Sequence, residues 1–386
     1  MQLTVERDEL LRAVGQVYGV PSSKSDIPIL THLVLTAERE GGWVRGTDME
    51  MDITSPFKAK VNEAGAVCVP ARLIHDIVKR MPAGETISLS TVGEQFRLVC
   101  GKSRFQIAIL PTEDYPPFSS GSPDRTWQFE IEADRLRMML VGVRHAIAKD
   151  ESRYYLGGVY LHVTADEPVH LKAVATNGHC LALQSTLAPV GSYGMPGIII
   201  PREAVAEMVK LLPDQGQLVT LTVSDRFVWL DLPGGLSFGS KLIDGTYPEY
   251  DRVIPKAHPH YIRVAADALS AAIGRVATIC DASHNGIVLL MNPKGPLSLT
   301  AERPAAGSAH DRLDILEISG PRRALGLNYR YLVTMLQSYA GGTVELRYND
   351  AGDPIVLTHS GSDIGLQVLM PMRAGQTEAE PLDEAA

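Results

Sequence analysis

The sequence predicts an α+β protein built as three tandem copies of one domain, and three observations carry that prediction. Asp8, Asp134 and Asp267 stand about 130 residues apart, each followed by apolar residues at +2, +6 and +9: Leu10/Val14/Val17, Leu136/Leu140/Val143 and Leu269/Ile273/Val276. A second apolar stripe, spaced i, i+3, i+4, i+7, recurs later in every copy. Between the stripes lie runs rich in β-branched or alternating residues. The repeat is far longer than the roughly 20–50 residues of a solenoid unit, so each copy reads as a domain with its own core.

Each copy opens with a helix at its aspartate. Asp is a favoured N-cap because its carboxylate accepts first-turn N–H groups, and the apolar spacing lines one helical face. Strand-type runs follow at Trp43–Ile53, Leu171–Leu183 and Leu297–Ala301. The second helix carries Ile74/Ile77/Val78/Met81, Val205/Met208/Val209/Leu212 and Leu332/Met335/Leu336/Tyr339. Pro70, Pro201 and Asn328 mark its three starts, since proline suits a first turn and Asn caps one. Copies one and two close with Phe105–Leu110 before Asp114-Tyr115-Pro116 and Phe238–Ile243 before Thr246-Tyr247-Pro248; copy three closes with Ile364–Met370. Boundaries fall in Pro-containing connections, giving copies at 1–125, 126–255 and 256–373. The acidic, unpatterned residues 374–386 read as a disordered tail, with a proposed weak competition against peptides binding nearby.

With 45% hydrophobic and 21% charged residues over 386 positions, the chain has the composition of a globular protein of two to four domains. It has neither a basic, apolar leader nor a run near the roughly 18 apolar residues of a membrane span, so a cytoplasmic protein is expected. Cys68, Cys100, Cys180 and Cys280 form no C-x-x-C pair and read as reduced thiols. Cys280 and His284, with His258 and His260 nearby, lack the rest of a metal-ligand pattern, so no metal and no cofactor are expected.

A net charge of −9 argues against nucleic acid, but the basic residues concentrate on the repeated helices. Arg7, Arg12, Arg72, Lys79, Arg80, Arg135, Arg137, Arg144, Lys149, Arg202, Lys210, Arg275 and Arg330 all fall there. Arg72/Lys79 and Arg137/Arg144 are seven apart, which returns a helix to nearly the same face, and Lys79 and Lys210 occupy equivalent places. Two readings stand: solvated outer faces, diluted by Asp76, Glu203 and Glu207, or a locally positive track for DNA, whose phosphates need only local charge. The chain has no Walker loop, no H-E-x-x-H, and no G-x-G-x-x-G after a strand. Asp48, Glu50 and Asp52 alternate along one expected strand as solvated charges, and an enzyme is not expected.

The chain resembles the bacterial sliding clamps, the beta subunits of DNA polymerase III. The resemblance runs from Met1 to about Arg373 and rests on TVER (4–7), IPIL (27–30), GTDMEM (46–51), VPAR (69–72), SRF (103–105), RYYL (153–156), SKL-DG (240–245) and LMPMR (369–373) in order. It implies two helices on antiparallel sheets per copy and a head-to-tail homodimeric ring of six subdomains around duplex DNA, held without sequence specificity. DNA-facing residues would be Lys24, Arg72, Lys79, Arg80, Arg137, Arg144, Lys149, Tyr154, Arg202, Lys210, Arg275 and Arg330.

The resemblance also implies a processivity factor whose cleft takes short peptides from the polymerase III alpha subunit, the clamp-loader delta subunit, and other polymerases and repair proteins. The cleft residues carried over are Leu156, Thr176, Gly178, His179, Leu181, Pro248, Arg252, Val253, Asn328, Tyr331, Val368, Leu369, Met370, Pro371, Met372 and Arg373. The flexible methionines suit several partners' apolar side chains. Where clamps commonly read T-D-G-H-R, this chain has Thr176-Asn177-Gly178-His179-Cys180, and His284 replaces an expected apolar group; a paralogue serving an accessory or repair polymerase is the alternative. For the dimer interface the resemblance points to Lys102, Arg104, Phe105 and Ile107 against Thr278, Ile279 and an acidic loop, Glu302–Asp314. Arg303 and Arg312 oppose that loop's acids, so apolar contacts are expected to dominate. An ATP-driven loader would open the ring, since the chain has no nucleotide motif.

Overall fold

The structure, a computed structural model, describes residues 1–21, 25–39, 41–118, 125–214, 216–304, 306–359 and 365–372. Copy one runs β1 (Gln2–Glu6), α1 (Arg7–Val17), β2 (His32–Glu38), β3 (Gly41–Thr47), β4 (Met51–Lys58), β5 (Lys60–Glu63), β6 (Gly65–Pro70), α2 (Ala71–Arg80), β7 (Thr86–Val92), β8 (Gln95–Cys100) and β9 (Ser103–Ala108). Copy two runs β10 (Trp127–Glu132), α3 (Ala133–Arg144), β11 (Gly158–Val163), β12 (His170–Thr176), β13 (Cys180–Leu187), β14 (Ile198–Pro201), α4 (Arg202–Leu211), β15 (Leu218–Val223), β16 (Phe227–Asp231) and β17 (Ser237–Lys241). Copy three runs β18 (His260–Ala265), α5 (Ala266–Val276), β19 (Gly286–Met291), β20 (Leu297–Arg303), β21 (Gly307–Leu313), β22 (Glu317–Ser319), β23 (Arg323–Asn328), α6 (Tyr329–Leu336), β24 (Thr343–Tyr348), β25 (Ile355–His359) and β26 (Gly365–Leu369). The apolar stripes are buried as the periodicity predicts: Leu10, Val14 and Val17 on α1, Ile74 and Val78 on α2, and Leu269, Ile273 and Val276 on α5 are at most 1% exposed. Each such side chain contributes about 1.5–3 kcal/mol by leaving water.

The three aspartates do not cap their helices. The N-cap positions of α1 and α5 are Glu6 and Ala265, and Asp8, Asp134 and Asp267 each lie one residue into the helix. Their carboxylates accept N–H bonds from Gly84, Gly216 and Gly341 at 3.2, 3.1 and 3.0 Å, in the turn after the copy's second helix. Beside each, the first helical N–H donates to the next carbonyl: Arg7 to Glu85, Ala133 to Gln217 and Ala266 to Gly342. The glycines have φ near +75°, a region costly for other residues. Each repeat is therefore latched end to end by one aspartate and one glycine.

Two expected single strands are hairpins. Trp43–Ile53 divides into β3 and β4, and Leu171–Leu183 into β12 and β13, around turns of the same construction. Asp48 Oδ1 accepts the N–H groups of Glu50 and Met51, and Asn177 Oδ1 those of His179 and Cys180. The hydroxyls of Thr47 and Thr176 donate to the carbonyls of Met51 and Cys180. Asp48 and Glu50 thus belong to a turn, and Asp52 on β4 pairs with Arg45 at 2.8 Å, so the three carboxylates share no strand face. Burial pushes the Asp52 carboxyl up, against the opposing pull of Arg45.

The chain forms two compact units, Met1–Arg137 with Ala188–Asp244, and Met138–Leu187 with Gly245 onward, so copy two is divided between them. In the first unit, one antiparallel sheet has the order β5-β1-β7-β8-β9 and another β10-β15-β16-β17-β4-β3-β2-β6. In the second, one runs β11-β12-β13-β26-β25-β24-β18-β22 and another β21-β20-β19-β23. The last strand of copy two, β17, pairs with β4 of copy one, and the last strand of copy three, β26, pairs with β13 of copy two. By the same rule β9, the last strand of copy one, calls for β21 of copy three, and both stand at open sheet edges.

Candidate functional site

The repeated helices distribute their cations unequally. Arg72, Lys79 and Arg80 on α2, with Arg144 and Lys149 at and beyond the end of α3, are exposed. No ion pair or side-chain hydrogen bond engages these five among the described residues. Arg137 is half-buried, and its guanidinium donates to the carbonyls of Val209, Leu212 and Pro213 at 2.9, 2.6 and 3.1 Å, closing the C-terminus of α4. Arg7 does the same for α2 through the Val78 and Lys79 carbonyls. Its place on the helix made Arg137 look displayed, whereas the orphan carbonyls of a helix end hold it. Lys210 pairs with Glu207 at 3.0 Å and Arg275 with Asp311 at 2.6 Å. Arg330 reaches the Asp281 carbonyl at 3.5 Å, and Tyr154 is 58% exposed. Arg202 opens α4, and Lys24 lies outside the described residues.

The expected cleft residues lie within the second unit. Their centre is the β13–β26 ladder, where Cys180 faces Leu369 and Leu181 faces Val368. Past its end Met370 N–H donates to the His179 carbonyl at 2.9 Å and Met372 N–H to the Gly326 carbonyl at 2.8 Å, carrying Pro371 between them. Leu156, Leu181, Val368 and Leu369 are buried, while Met370 and Met372, at 39% and 38%, keep exposed surface. Gly178 and His179 form the exposed turn, and the His179 ring lies 6.1 Å from Tyr331, nearly parallel. Asn328 caps α6 by accepting the Arg330 N–H at 3.0 Å. A one-turn helix, Tyr250–Val253, presents Arg252, which pairs with Glu249, and Val253, 49% exposed; Pro248 precedes it, exposed. Its Tyr250 hydroxyl is bound by His162 Nε2 at 2.8 Å, and Tyr247 stacks flat on Tyr160 at 4.7 Å. Arg373, and the whole tail 374–386, lie outside the described residues.

The sequence departures take on physical meaning here. Asn177 keeps the turn's acceptor without the charge of Asp. Cys180 is 2% exposed, and burial pushes its thiol up to about 12, leaving a neutral, inert group. Arg153 lies over the turn instead: a Cβ on Gly178 would sit 2.8 Å from its Nη1. The RYYL motif contained Arg153 without signalling this position, because only the fold brings it to residue 178.

At the sheet edges, Lys102 and Arg104 are exposed and Phe105 is half-buried, but Ile107 is 4% exposed, inside copy one's own core. The alternation of β9 dictates this: residue 107 points inward across from Phe96. The expected acidic loop Glu302–Asp314 is the β20–β21 hairpin, with Arg303 opposite Gly307 and Glu302 exposed on β20. Thr278 donates to the Arg275 carbonyl, and Ile279 is half-buried. Asp281, which no sequence pattern marked, organises this region. It accepts the N–H groups of Ser283 and His284 at 2.8 and 2.7 Å and lies 3.1 Å from the His284 ring and 3.2 Å from Arg303. Chiefly the His284 N–H bond holds its carboxyl down to about 2, against a smaller upward push from burial. The His258 ring, 2.8 Å from the Pro354 carbonyl, lies apart from His284 in its bonding. No helix among the described residues is long and apolar enough to cross a membrane.

Comparison with known proteins gives matches along the whole chain. Residues 1–119, 130–249 and 251–373 match the N-terminal, central and C-terminal domain models of the DNA polymerase III beta subunit. The beta sliding clamp of Caulobacter vibrioides is 35% identical over 376 residues, and that of Escherichia coli strain K12 is 30% identical over 379; each alignment covers 97% of this chain and all of the relative. A crystal structure of a sliding clamp from Bartonella birtlesii bound to griselimycin superposes with a TM-score of 0.92 at 34% identity, covering 97% of this chain and all of that one.

Proposed function

The chain belongs to the family of DNA polymerase III beta subunits, the bacterial sliding clamps, and on that premise we propose how this chain closes, binds and recruits. It is a DNA sliding clamp, a processivity factor of DNA replication in a family of non-catalytic subunits. The observation that carries ring closure is the sheet rule: β17 joins β4, β26 joins β13, and β9 and β21 remain as the matching open pair. Supplied by a second chain, each β21 completes the other's β9. This heterologous contact closes after two chains and six repeats.

The exposed cations of α2 and α3 then meet duplex phosphates, which bind without sequence preference and leave the ring free to slide. Met370, Met372, Val253 and the His179–Tyr331 stack receive apolar side chains of partner peptides, and Arg153 supplies the rim charge. The polymerase alpha subunit and the clamp-loader delta subunit are the partners we assign to this cleft. The protein acts in the cytoplasm as a subunit of the polymerase III holoenzyme.

Gln106→Pro on β9 tests closure. Gly101 and Lys102 form a two-residue hairpin turn, so Cys100 and Ser103 are a bonded pair and Gln106 directs its N–H away from β8. The parent protein should sediment at twice the chain mass and stay on nicked circular DNA until the circle is linearised. Gln106→Pro should sediment as a monomer and fail to stay on the circle. A parent monomer at every concentration, or equal dissociation of the parent from circular and linear DNA, overturns the ring.

A further inference from the structure

We infer that a hollow beside α1 and α2 binds an unpaired nucleotide of single-stranded DNA. The hollow, about 590 Å³, is lined by Tyr18, Thr31, Arg72, His75, Asp76 and Lys79 among others. Tyr18 ends α1, and its ring lies flat on that of His75, with centroids 3.8 Å apart and 4° between planes. His75 is 9% exposed and Tyr18 37%, so one tyrosine face is taken by the histidine and the remaining exposure faces solvent. Arg72 and Lys79 stand three residues before and four after His75, on the same helical face and about 10 Å apart along the axis. Neither has an intramolecular ion pair or side-chain hydrogen bond among the described residues.

An aromatic plate between two uncommitted cations is the pattern that holds single strands: the base stacks while phosphates on either side meet positive charge. The volume suits one nucleotide. A duplex cannot use the plate, because its bases are already stacked. Asp76, also in the lining and 3.5 Å from the His75 ring, sets a limit, repelling a second phosphate close to it. The site therefore holds one base and its flanking phosphates.

Fluorescence anisotropy of the full-length protein with a labelled twelve-nucleotide thymidine oligomer, an abasic oligomer of equal length, and a duplex tests this. Tyr18→Ala should weaken binding of the thymidine oligomer by about tenfold, the loss of one stacked base. Tyr18→Phe should bind like the parent protein. The abasic oligomer and the duplex should bind all three proteins alike. Unchanged oligomer affinity in Tyr18→Ala overturns the site. So does an equal weakening for thymidine and abasic oligomers, which would make Tyr18 a prop for α2. Ring closure is scored separately by retention on circular DNA, which Tyr18→Ala should leave intact.

Discussion

The second helix of copy one, α2, and the helix pair of copy three use their cations in opposite ways. On α2, Arg72, Lys79 and Arg80 are exposed and uncommitted. On α5 and α6, Arg275 is held by Asp311 of β21, and Arg330 reaches the Asp281 carbonyl, in the segment before β19. The difference teaches that a repeated fold does not imply a repeated charge role. On α2 of copy one the charge is left open to solvent, while copy three uses charge to brace the strand and loop that carry its proposed subunit contact.

The largest expected effect breaks the comparison on the copy-one side. Replacing Arg72, Lys79 and Arg80 together by Ala should lower duplex affinity on the order of a hundredfold at low salt. The slope of log affinity against log salt should flatten by up to about 5.4, near 0.9 for each of the six phosphates that the two chains no longer neutralise. Arg275→Ala with Arg330→Ala should flatten it by less than about 1, and instead raise the dimer's dissociation constant by about tenfold, one modest ion pair per interface summed over two interfaces. Equal salt slopes for the two variants, measured by anisotropy titration, would erase the distinction between the copies.

A smaller effect sharpens the copy-three role. The Asp281 carboxyl is held near 2 in the folded protein, below its ordinary 3.8. A depressed carboxyl contributes stability that is complete above the unfolded value and is lost as pH falls through the folded one. The folded parent protein should therefore lose stability against unfolding between about pH 4 and 2 more steeply than Asp281→Asn, which cannot ionise. Acid unfolding curves of the two followed by circular dichroism that run parallel would remove Asp281 from the brace.

How much of this was legible in the sequence depended on the range of the interaction. The triplication and the buried faces of the helices are periodic, and periodicity survives in a bare sequence. Roles set by distant partners did not. Arg137 and Lys79 read alike as helix cations, yet Arg137 is drawn into the carbonyls ending a helix some seventy residues away. The hairpins hid inside Trp43–Ile53 and Leu171–Leu183 because Asp48 and Asn177 act through side-chain turns that alternation cannot register. The proposed cleft was visible only through family resemblance, since Leu369-Met370-Pro371-Met372 read by itself suggests an ordinary buried strand end.

The aspartate latch is the same lesson at its sharpest, and it yields the smallest prediction. Asp8, Asp134 and Asp267 were the clearest marks in the sequence, and a first-turn aspartate is locally indistinguishable from a cap. Its partner glycine lies 74–82 residues away. Gly84, Gly216 and Gly341 all have positive φ, and a Cβ at each would meet nothing within 4 Å. Ala substitution there therefore costs only the left-handed backbone penalty, about 1 kcal/mol. That corresponds to a fall of about 2–4 °C in the melting temperature of a domain of this size. All three substitutions should give similar shifts, because the three copies build the latch alike. A shift confined to one copy would mean that the latches, like the cations, have diverged in role.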